Sequence, residues 1–196
     1  MPQFNPDDAA IYNHGIPKRL LEVFDSPLPA FIRDEFPDAI CQKLYGHELF
    51  RECSGVIHPE QLFACSEFGP ILAAAHKFQQ GITAATGIEF TGLPCLKYYR
   101  DEQAHTPWNL GVNELYAGSG EVIMVSFGAV RILNIRFIRD HDEIFSLALK
   151  DGMAAHLKQP LSGEWELRIP VIKGPATPTL LVLLFPESSS IIKNDT

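Results

Sequence analysis

The chain has 196 residues, 46% of them hydrophobic, which is enough for a single domain with a sizeable core. Its 16 Lys and Arg stand against 24 Asp and Glu, a net charge of −8 that argues against a general binder of nucleic-acid phosphates. The four cysteines, Cys41, Cys53, Cys65 and Cys95, form no C-x-x-C pair, so neither a structural zinc site nor a disulfide framework is expected. Met1 to Asp8 has no basic start and no apolar stretch, and no run approaches a membrane span in length. The expectation is a cytoplasmic protein.

The first third is proline-rich. Ile16 to Phe24 reads as a short helix with Pro17 in its first turn, and Ser26-Pro27-Leu28-Pro29 as a bend. Asp38 is placed to cap a helix carrying Ile40, Leu44 and Leu49 on roughly one face. Gly55 to Phe68 has no period and reads as a loop or lid. From Pro70 to Ala85 the pattern is helical, because Ile71, Leu72, Ala75, Phe78 and Ile82 build one apolar stripe. Thr86-Gly87 supplies the stop, since glycine accepts the left-handed position after a helix.

After Gly87 the pattern turns to strands: Cys95–Tyr99, Glu121–Phe127, Val130–Phe137, Glu143–Leu149, Met153–Leu157, Leu167–Ile172 and Leu180–Phe185. Arg131, Leu133, Ile135 and Phe137 share one side of their strand; Ile132, Asn134 and Arg136 share the other. Leu180 to Phe185 is apolar throughout, which suits a strand covered on both faces. Helices followed by many strands give an α+β domain, a β-sandwich or barrel backed by helices. One domain spans 1–196. It divides into an N-terminal extension (1–25), a helical and lid region (26–90), the β core (91–186) and a flexible tail (187–196).

At Lys97-Tyr98-Tyr99-Arg100-Asp101 the chain resembles the AlkB-like Fe(II)/2-oxoglutarate dioxygenases. The similarity runs from about residue 26 to 185. It is carried by Ala85-Thr86-Gly87-Ile88-Glu89-Phe90, Trp108-Asn109-Leu110-Gly111, Ser126-Phe127-Gly128-Ala129-Val130-Arg131, Asp151 to Leu157 and Trp165 to Pro170, in the family's order. It implies a double-stranded β-helix (jelly-roll) core with N-terminal helices packed on it. It also implies a metal site of two histidines and one aspartate, a set that suits Fe(II) and leaves positions open for 2-oxoglutarate and O₂. The positions that match this site here are Asn109, Gly111 and Leu167, which offer one weak neutral donor and two side chains with none. The co-substrate positions are Lys97 and Tyr99, and the last core strand carries no arginine to grip a carboxylate. The expectation is the family fold without iron, 2-oxoglutarate or any other cofactor.

By resemblance, an interior pocket would be lined by Tyr99, Trp108, Asn109, Arg131, His156 and Leu167. Tyr99, Asn109, Arg131 and Glu166 are the candidates for catalysis. Trp108, His105, His156 and Leu167 are the candidates for ligand binding. The rings offer flat apolar area with a polar tip, Asn109 a donor and an acceptor, Arg131 a cationic fork, and Glu166 and Glu114 an acid or base. Such a set suits a redox-neutral isomerase or cyclase acting on a small, mostly apolar molecule of specialised metabolism. Three alternatives stand beside it: a non-catalytic binding protein on the same fold, a nucleic-acid-associated relative of repair enzymes, and a dioxygenase using His105, His156, Glu114 and Glu166 as non-standard ligands. The charge disfavours nucleic acid, no membrane partner is expected, and a homodimer is left open.

Overall fold

The computed structural model describes residues 21–24, 56–57, 69–92, 94–99, 103–109, 121–158, 165–172 and 178–187. They form β1 (Leu21–Phe24), β2 (Val56–Ile57), α1 (Gly69–Thr86), β3 (Cys95–Tyr99), β4 (Thr106–Asn109), β5 (Val122–Gly128), β6 (Arg131–Phe137), β7 (Asp140–Leu149), β8 (Met153–Leu157), β9 (Trp165–Ile169) and β10 (Thr179–Leu184). One sheet has the order β1-β8-β5-β10-β3-β2 and the other β4-β9-β6-β7. Every strand pairing is antiparallel. From β3 onward the chain passes back and forth between the sheets, with the β6–β7 hairpin as its one pause. This is a β-sandwich of jelly-roll type.

Alternation along the strands builds two cores. Cys95, Tyr99, Val122, Met124, Leu133, Ile135, Leu181 and Leu183 fill the space between the sheets. Leu96, Tyr98, Ile123, Val125, Phe127, Leu180 and Val182 point to the far side of the larger sheet, where Ala75, Phe78 and Ile82 of α1 cover them. The Phe78 and Phe127 rings meet edge to face at 5.7 Å. β10 lies between β5 and β3 and is buried on both faces, as its unbroken apolar run predicts. Gly87, at φ +71°, ends α1 and donates its N–H to the Thr83 carbonyl.

The structure departs from the sequence expectations near the N-terminus. Leu21–Phe24, expected at the end of a short helix, is a strand paired with β8. Leu21 and Phe24 suit either state, and a partner edge more than a hundred residues away decides between them. Within the expected loop 55–68, Val56 and Ile57 pair with Lys97 and Leu96 of β3. Of the N-terminal helices, α1 alone falls within the described residues. The bend at 26–29, the helix after Asp38 and residues 188–196 of the tail lie outside them. Among the described residues no helix is long and apolar enough to cross a membrane.

Candidate functional site

Lys97, Tyr99 and Thr106 meet the apolar side chains of Met124, Leu133, Leu167 and Leu181 around an enclosure between the sheets of about 30 Å³. That is room for a water or two, or for a group of two or three heavy atoms. The phase of β3 creates this arrangement. Cys95, Lys97 and Tyr99 face inward, and Leu96 and Tyr98 face α1. Lys97 is 9% exposed, with Nζ 5.7 Å from the centre of the Tyr99 ring. Among the described residues its amine makes no hydrogen bond and no ion pair. Burial lowers its pKa from 10.5 to about 8.

Tyr99 is fully buried, and its hydroxyl lies 2.7 Å from Thr106 Oγ1. Burial raises the phenol pKa well above its ordinary value, against smaller opposing effects of the Thr106 hydrogen bond and the Arg131 charge. The hydroxyl therefore stays protonated and able to donate. Arg131 is also fully buried, and its guanidinium lies over the Tyr99 ring at 5.1 Å. Its Nε donates to Thr179 Oγ1 at 3.2 Å and its Nη1 to the Ala104 carbonyl at 3.0 Å. Thr179 Oγ1 in turn donates to the Ala129 carbonyl. Arg131 thus ties the start of β6 to β10 and to the approach to β4.

Of the three positions that the resemblance would give to Fe(II), Leu167 is the one whose side chain is described, and it offers no donor. Asn109 and Leu167 are Cα partners across β4 and β9, as two ligand positions of one site would be. Leu167, however, packs into the sandwich core and presents only carbon. Among the described residues no three His, Cys, Asp or Glu side chains converge. The inward side chains of β10 beyond Thr179 are Leu181 and Leu183, so β10 itself supplies no guanidinium, and the buried one that reaches Thr179 belongs to Arg131 of β6. Gly111, Glu114 and the Asn109 side chain lie outside the described part.

The remaining candidates are not brought together. Glu166 alternates with the inward Trp165 and Leu167 and so faces the outer side of the smaller sheet. There Arg136 donates to Glu166 Oε2 from Nε at 2.8 Å and from Nη2 at 2.6 Å. Trp108 belongs to the same outer group. The Arg136 and Arg168 guanidiniums lie over its ring at 4.0 and 4.5 Å. An irregularity in β4 puts it there: Thr106 and Asn109, three apart, oppose Ile169 and Leu167, two apart. Arg168 sits below its ordinary pKa through burial and the neighbouring Arg136 charge.

His156 is the Cα partner of Ile123, so it lies on the α1 side of the larger sheet. Its Nε2 is 2.9 Å from Glu121 Oε2. His105 is exposed, and its Nδ1 lies 2.9 Å from the Gln103 carbonyl oxygen. The pocket expected from resemblance is therefore spread over three faces, and only Tyr99, Arg131 and Leu167 are described in the interior. Sequence reasoning named Lys97 only as a mismatch and passed over Thr106. The available signal was a lysine set between Cys95-Leu96 and Tyr98-Tyr99, in a strand otherwise apolar on both faces.

No family model matches the chain, and no curated protein matches its sequence. Among solved structures, a prolyl-4-hydroxylase from Pseudomonas putida is similar over 93% of this chain and 92% of that one. The identity is 14% and the TM-score 0.44, too low to carry an argument about function.

Proposed function

We propose that this chain is a jelly-roll protein that works without Fe(II) or 2-oxoglutarate and takes the small polar end of a mostly apolar molecule into its sandwich interior. The observation that carries the reading is Lys97, an amine with no carboxylate beside it among the described residues, held among apolar side chains beside a protonated phenol. An amine and a phenol in an apolar-walled enclosure suit redox-neutral chemistry, such as isomerisation or cyclisation of the bound molecule. About 30 Å³ admits the reacting end of such a molecule and no more. The AlkB-like ancestry and the cytoplasmic location belong to the same proposal.

A second reading, a non-catalytic binding protein on the same scaffold, is favoured by a different observation. Arg131, Glu166 and His156 are each engaged with neighbouring side chains or carbonyls. Anaerobic titration of chelator-stripped protein with Fe(II) and 2-oxoglutarate, followed by calorimetry and visible absorption, tests the absence of iron chemistry that both readings share. The expected result is no binding of either and no charge-transfer band. Tight binding of both overturns it.

A further inference from the structure

A buried lysine with no counter-ion among the described residues is either a cost the fold carries or a group kept for use. The surroundings of Lys97 bear on which. Around it, β10 contributes Leu181 and Leu183, β5 Val122 and Met124, β6 Leu133, β9 Leu167 and Ile169, and β4 Thr106. The other titratable group on these walls is Tyr99, on the strand of Lys97 itself, and the Arg131 guanidinium lies against the Tyr99 ring without lining the enclosure. No carboxylate is among the residues of this wall. Among the described residues no group there holds the amine in its charged form, and burial among apolar side chains beside a protonated phenol leaves it free to be neutral.

Building on the interior-site reading above, we propose that Lys97 captures carbonyl compounds. Its neutral amine condenses with the aldehyde or ketone end of a small molecule inside the sandwich. The nitrogen lone pair attacks the carbonyl carbon, and the N–C bond forms as the carbonyl oxygen takes up a proton. The proton gained by the oxygen is, net, one of the two on the amine nitrogen; the carbinolamine then loses its hydroxyl together with the remaining nitrogen proton as water, leaving a C=N bond to Nζ. No oxidant or reductant is consumed. An imine at this position draws electrons from the adjoining carbon, which is the activation an isomerisation or cyclisation of a carbonyl compound requires. Apolar walls restrict water and so disfavour hydrolysis of the adduct.

The test is reductive trapping. The full chain is treated with acetaldehyde and cyanoborohydride at pH 7, and the site of N-ethylation is read by peptide mass spectrometry. An amine with a pKa near 8 is neutral on the order of a hundredfold more often at pH 7 than a surface lysine. Lys97 is expected to label first, with a rate that rises through pH 8. In Lys97→Met the fast label is expected to vanish while the surface labels persist. Labelling of Lys97 no faster than the other lysines overturns the carbonyl proposal. Acetate then separates the two readings. If acetate raises the melting temperature of the wild type but not of Lys97→Met, the interior site stands and only the carbonyl chemistry falls. If acetate has no such effect either, the interior-site reading falls with it.

Discussion

A lysine ammonium that loses its water without gaining a carboxylate raises the energy of the folded state. Below pH 8 the Lys97 amine is charged in both folded and unfolded chains, and the fold bears the whole penalty, about 3 kcal/mol for a shift from 10.5 to about 8. As pH climbs from 8 to 10.5 the folded amine loses its proton first, and the penalty fades. Lys97→Met is therefore expected to be about 2–3 kcal/mol more stable than the wild type at pH 7, with the gap closing toward pH 10. Denaturant unfolding at both pH values measures this, and a gap that ignores pH would mean that the amine is hydrated. On the opposite surface, Glu166 balances one of two arginines beside Trp108, with both partners' side chains 17% exposed. Glu166→Ala is expected to cost about 1–2 kcal/mol in unfolding experiments and to leave Lys97 labelling unchanged. Residue types were readable from the chain, but their faces were not. His156 and Trp108 each sit on the side of a sheet that pairing partners and a bulge determine, and neither is visible in local spacing.

At the level of elements, α1 holds to the larger sheet through a few large contacts. Phe78 is 1% exposed and meets Phe127, so Phe78→Ala is expected to cost about 3–4 kcal/mol and to loosen the helix before the sandwich unfolds. Hydrogen exchange along α1 would show this as early loss of protection. Two glycines with positive φ separate conformational strain from crowding. Gly87 (φ +71°) opens on free space, whereas a Cβ on Gly128 (φ +89°) would collide with the Pro178 carbonyl oxygen. Gly87→Ala is expected to cost about 1 kcal/mol and Gly128→Ala about 3 kcal/mol or more in thermal or denaturant melts. The elements with strong internal pattern were legible. The helix α1 with Ala75, Phe78 and Ile82 of its stripe, the runs of β3 and β8 and the doubly buried β10 all appear where periodicity puts them. β1 and β2 did not stand out, because short segments become strands only when a distant edge accepts their hydrogen bonds. The inward phase of β9 was legible at Leu167, whose side chain packs into the core between the sheets.

For the whole molecule, a charge of −8 and the surface arginines make one prediction together. Arg136 is paired with Glu166, and the Trp108 group lies across the smaller sheet from the enclosure. Single- and double-stranded oligonucleotides are expected to show no saturable binding at physiological salt in fluorescence anisotropy. Micromolar binding that weakens steeply with salt would refute this and point to Arg136 and Arg168. The place of β10 also has a consequence in time. Its neighbours β3 and β5 come earlier in the chain and stay unjoined until β10 slots between them. During synthesis the larger sheet therefore waits in two parts, with the inner edges of β3 and β5 open to wrong partners, until Thr179–Leu184 leaves the ribosome.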